Sequence, residues 1–213
     1  MQATRRKLED QRISIVCCGA VRGQLADAAP MRVNRVVCYC DDCQAFARYL
    51  GRIDLLDANG GSDIVQVAPG SITFIEGTDK IVGLRLTPKG LYRFYATCCN
   101  TPLGNTVGPA IPFVGIVANA LENSAQQRDE IIGRPIGAIY GKYAVGVVPN
   151  ASRKISLGLI LRSIRMVLGW RLSGRAWPHP FFDRASKAPK YPVTVLSLEQ
   201  RRAARDGLSS TVQ

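Results

Sequence analysis

The sequence predicts a mainly β protein: a small antiparallel module followed by a basic, partly helical C-terminal extension. Two observations carry that expectation. Short β-branched and aromatic runs recur about every ten residues, separated by turn signals, through the first half of the chain. Charge and cysteine usage then divide the chain at one place. Residues 1–150 hold 16 basic and 13 acidic side chains and all seven cysteines, whereas residues 151–213 hold 12 basic and 3 acidic side chains and no cysteine. The join is expected near Val148-Pro149-Asn150, giving a module over 1–148 and an extension over 149–213. At 213 residues with 46% hydrophobic side chains, the chain is large and apolar enough to bury a core without staples.

The elements follow in order. Residues 1–12 are polar and mixed in charge, with no apolar signal-peptide core, so the cytoplasm is the expected compartment. Ile13-Ser14-Ile15-Val16 alternates as a strand does, and residues 33–37 form a second strand running into Cys38. Over 41–50, Cys43, Phe46 and Leu50 have helical spacing, and Gly51 is a helix stop. Residues 64–67, 71–75, 81–86 and 91–95 are four short strands between the turns Pro69-Gly70, Gly77-Thr78-Asp79 and Pro88-Lys89-Gly90. A helix is expected over 155–172, where Leu157, Leu161, Ile164, Val167 and Leu168 form a broad apolar arc opposite Arg162 and Arg165. The plain reading is a helix packed into its own domain or a subunit interface. The sharper one is a peripheral contact with an anionic membrane, Trp170 sitting at the headgroups. Residues 178–183 are extended, each proline constraining its predecessor, and 200–213 read as a polar helix. No apolar run reaches the roughly 18 residues of a membrane span.

His179 is the single histidine, which excludes histidine-rich metal triads and HExxH chemistry. Metal binding must rest on cysteine. Cys38-Tyr39-Cys40-Asp41-Asp42-Cys43 fuses a CxC to a CxxC. A strand ending at Val37 and a helix starting near Asp41 supply the turn that lets three thiolates meet at one ion. The helix N-terminus favours their ionised form. A fourth protein ligand would make the site structural; water or a substrate thiol would make it catalytic. The other cysteines form two adjacent pairs, Cys17-Cys18 and Cys98-Cys99. Strand neighbours point to opposite faces, so both members of a pair are not expected to reach one metal. The sequence leaves open a remnant metal site, an oxidisable pair or buried thiols.

Three blocks, Cys18-Gly19-Ala20-Val21, then Cys38-Tyr39-Cys40-Asp41-Asp42-Cys43, then Cys98-Cys99-Asn100-Thr101-Pro102-Leu103-Gly104, resemble the glutathione-dependent formaldehyde-activating enzyme family, which includes centromere protein V. The resemblance runs from about residue 13 to about residue 117. It implies a small antiparallel zinc-bound β-tent and a catalytic zinc held by Cys38, Cys40 and Cys43. Val16 and Ala96 stand where the family's structural zinc site has cysteines, so Cys18 and Cys99 keep half of that site, and Cys17 and Cys98 are extra.

The implied activity is carbon–sulfur lyase chemistry between glutathione and formaldehyde, with zinc as cofactor and a small thiol as partner. A zinc ion with an open position lowers a thiol's pKa, and the thiolate is the nucleophile toward an aldehyde carbon. The 58–62 loop could offer backbone N–H groups to a carboxylate, or be a plain turn. Arg22, Lys89 and Arg93 are candidate partners for glutathione carboxylates. Tyr39 could cover the metal or pack, and His179 could be a fourth ligand, a proton relay or a structural residue. The rival function is a non-catalytic zinc scaffold docking on an anionic partner or membrane through its basic tail. Nucleic acid is not the expected partner: the tail's aromatics cluster with proline rather than interleaving with Lys and Arg.

Overall fold

The computed structural model describes residues 12–121 and 124–206. It is β-rich and mostly antiparallel, with helices along the chain and toward the C-terminus. Strands β1 (Ile13–Cys17), β2 (Val21–Leu25) and β5 (Ile72–Glu76) form a three-stranded sheet in the order β1-β2-β5. The larger sheet has eight strands. Its antiparallel centre comprises β3 (Asn34–Cys38), β4 (Ser62–Val67), β9 (Val114–Val117), β8 (Thr101–Thr106), β7 (Tyr92–Ala96) and β6 (Ile81–Arg85), in that order. Two short strands, β10 (Ala138–Ile139) beside β3 and β11 (Val193–Val195) beside β6, pair in parallel at its edges.

Alternation along the strands sorts their side chains between two surfaces. On β4, Val65 and Val67 enter the main core shared with the small sheet, while Ile64 faces the other side beside Val36 and Cys38 of β3. That second face carries the cysteine knuckle.

Helix α1 (Asp41–Tyr49) starts directly after the knuckle. Helix α2 (Ala125–Ile132) opens with a full capping box between Ser124 and Gln127. Helix α3 (Leu157–Leu172) is capped by Ser156. Helix α4 (Leu198–Asp206) packs with α1 and β6 through Ala204, Phe46, Leu50 and Leu84. The polar reading of residues 1–11 and the part of the terminal helix beyond 206 lie outside the described residues.

The basic segment is woven into the β module. Phe181 and Phe182 are buried in the main core, where the Phe181 ring stacks on Phe94 of β7 with centroids 4.0 Å apart. The run 178–183 does not pair as a strand apart from an isolated bridge between Phe182 and Pro189. Trp170 is buried as well, which corrects the expectation that it lies at a headgroup level. Among the described residues, no helix is long and apolar enough to cross a membrane.

Candidate metal centre

Cys38 is the last residue of β3, buried and on the face away from the main core. Cys40 is the N-cap of α1, and its sulfur accepts a hydrogen bond from the Cys43 N–H at 3.4 Å. Cys43 lies in the first turn. The strand end and the helix start thus bring the three sulfurs within 4.8 Å of one another, a group that could hold a metal ion. The Cys38 and Cys43 sulfurs are 3.9 Å apart.

The three thiols differ in acidity. Hydrogen bonds from Cys38 and Cys40 hold Cys43 well below the ordinary thiol range, with further support from Arg93. Hydrogen bonding to Cys38 and Cys43, with burial, pushes Cys40 up. Arg93 on β7 is buried, with its guanidinium 3.8 Å from the Cys43 sulfur and 3.5 Å from the Asn105 side-chain oxygen. Burial alone would lower its pKa, but the negative charge of Cys43, the first of its partners, reverses the shift and raises it. The guanidinium therefore stays charged against the sulfurs.

A cleft of about 390 Å³ opens over the cysteines. Its floor is one face of the large sheet: Val36 and Cys38 from β3, Ile64 and Gln66 from β4, Arg93 from β7, Asn105 from β8 and Gly115 from β9. Gly115 keeps the floor open, because a Cβ there would lie 2.9 Å from the Ile64 side chain. Tyr140, Tyr143 and Ile155 also line it, and Asp41 and Asp42 bring acidic side chains. Arg205 of α4 pairs with both Asp41 and Asp42, so the terminal helix holds the start of α1.

The remaining candidates fall elsewhere. Tyr39 does not line the cleft; its hydroxyl donates to Asp57 at 2.8 Å, and burial with that partner pushes its pKa up to about 12. Asp57 also accepts from the Asn59 and Gly61 N–H groups at 2.8 and 2.7 Å, so the 58–62 loop is a closed turn rather than an anion cradle. Arg22 pairs with Glu76 on the small sheet, and Lys89 does not line the cleft. His179 is buried against Trp177 and Phe182 and makes no approach to the cysteines.

The adjacent cysteine pairs overturn the strand-alternation argument. Cys17 ends β1, but Cys18 has φ +42° in the following turn, and Cys98-Cys99 occupy the turn between β7 and β8. Turn backbone lets all four sulfurs converge within 4.8 Å, a second group that could hold a metal ion once its thiols are all reduced. Cys17 and Cys99 form a disulfide here, and the Cys18 and Cys98 sulfurs lie 3.1 Å apart. Asn105, Gln66 and Tyr140 were not legible as cleft residues. Their signal was register: Asn105 faces Arg93 across β7 and β8, so naming one identifies the other.

Comparison with known proteins adds a family and no activity. No curated protein matches the chain. A crystal structure of a Rhodobacter sphaeroides protein is similar over 54% of this chain and 92% of that one, at 12% identity and a TM-score of 0.37, too low to carry an argument. The family of unknown function DUF6151 matches residues 11–190 and gives no support to membership of the formaldehyde-activating family. A match across most of the length, including both cysteine groups and the buried Phe181-Phe182 pair, means that the chain belongs to the DUF6151 family.

Proposed function

We propose that this chain carries out zinc-dependent carbon–sulfur bond chemistry, a thiol such as glutathione adding to or leaving from a small aldehyde-type carbon beside Cys38, Cys40 and Cys43. The observation that supports it is the cleft ending on those three sulfurs. The donor set suits zinc: zinc–sulfur bonds of about 2.3 Å put tetrahedral corners about 3.8 Å apart, close to the 3.9 Å between Cys38 and Cys43. Bound zinc with a free fourth position would supply a thiol of lowered pKa.

The chain's own side chains do the rest. Arg93 offsets the negative charge of the thiolates and keeps a cation beside the cleft floor. Val36, Ile64 and Ile139 make the surroundings apolar, which strengthens electrostatic interactions there. Burial first, then the neighbouring Cys40 and Cys38 sulfurs, push the Tyr140 phenol up, so it keeps its proton and can donate to an oxygen gaining charge. In the addition the thiolate sulfur bonds to carbon, the carbonyl π pair moves to oxygen, and that oxygen takes a proton from solvent.

The test is metal analysis of the purified chain and of Cys40→Ser, paired with NMR of glutathione and formaldehyde exchange. The expected result is one zinc fewer in Cys40→Ser, with loss of any acceleration shown by the wild type. A folded wild-type chain with no metal would sink the proposal.

A further inference from the structure

We infer that the outer face of α3 docks on an anionic lipid surface, with the helix lying along it rather than crossing it. Leu157, Leu161, Ile164, Leu168 and Leu172 are all half or more exposed, and on a helix their spacing places them on one stripe. The opposite side of the same helix is occupied. Leu159 and Trp170 are buried, Arg162 donates to Asn34 and the Val33 carbonyl, and Ser163 accepts from Asn34 at 3.2 Å. The apolar stripe is therefore surplus to the fold. A continuous exposed aliphatic strip of this kind marks a contact surface.

Charge selects the occupant. Residues 131–182 contain eight Lys or Arg and no Asp or Glu. Arg153, Lys154, Arg165 and Arg171 are exposed, just before α3 or on it. Arg134 and Arg175 pair with Asp129 and Asp27, but Arg153, Lys154, Arg165 and Arg171 make a basic rim to the aliphatic stripe that matches anionic headgroups above acyl chains. It opposes pairing with a second copy, which would bring the same cations face to face. Size argues the same way. A helix face about 24 Å long and 10 Å wide covers about 240 Å², well short of the roughly 800 Å² each partner gives a standard protein interface. A bilayer sets no such minimum.

The test is flotation of the full chain with phosphatidylcholine vesicles and with vesicles that also contain phosphatidylglycerol, at low and high salt. Binding is expected to be about tenfold greater on the anionic vesicles at low salt and to weaken as salt rises. Leu161→Gln/Leu168→Gln replaces exposed side chains only and should lower binding about tenfold with an unchanged melting temperature. Arg165→Gln should lower it on anionic vesicles alone. Equal partition on both vesicle types overturns the inference. So does absence of binding, or a dimer in sedimentation that the double glutamine variant dissolves without any lipid binding.

Discussion

His179 makes the fold sensitive to acid in a window that its surroundings define. Its Nδ1 accepts a hydrogen bond from the Phe181 N–H at 3.1 Å, so the neutral ring carries its proton on Nε2, which is buried with no partner among the described residues. A second proton would have to enter at Nδ1, facing another N–H. Burial, then the nearby Lys190 charge, lower the pKa from 6.5 to about 4. The folded form thus binds the proton less readily than the unfolded chain. The stabilisation is full above pH 6.5 and is lost as pH falls toward 4. At about 1.4 kcal/mol per pH unit, the loss between neutral pH and pH 4 is about 3 kcal/mol. Urea melts of the wild type and His179→Asn across that range measure it. Carboxylates titrate in both proteins, so the difference between the two curves isolates the histidine. Parallel curves would refute the reasoning.

Three further perturbations test the packing and the site. Phe181→Ala removes the ring stacked on Phe94 and should cost about 3–5 kcal/mol in denaturant melts. Arg35 is buried and bonds Asp63 and Asp129 at 2.7 and 2.6 Å as well as the Gly133 carbonyl, so Arg35→Leu should lose about 2–3 kcal/mol, discounted because both carboxylates reach solvent. Arg93→Met removes the cation beside Cys43; thiol-alkylation profiles of the metal-free chain should show the knuckle's first thiolate forming at higher pH than in wild type.

The strands β3 to β7 were legible as β-branched and aromatic runs between glycine and proline turn signals, and α1 by its helical spacing of Cys43, Phe46 and Leu50. Strands β8 and β9 were not. Pro102, Gly104 and Gly115 depress strand propensity, and β8 is buried at every position, so no alternation shows. Arg93 was legible as a candidate partner for a carboxylate, but that it faces the cleft beside Cys43 depends on the register of β7. The 178–183 run reads as a proline-rich connector, and only tertiary packing shows that its two phenylalanines fill the core. The gathering of Cys17, Cys18, Cys98 and Cys99 depends on positive-φ turn geometry at Cys18 and Asn100, which residues other than glycine seldom advertise.

The clasp between α4 and the start of α1 has a consequence for how the protein matures. Cys38, Cys40 and Cys43 leave the ribosome well over a hundred residues before Arg205, the side chain that grips Asp41 and Asp42. The thiols are therefore presented to the cell before the helix carrying one of them is held from outside. Any ion bound by the emerging knuckle would be bound before the fold closes around it. A protease that trims α4 afterwards would reopen the first state without touching a cysteine.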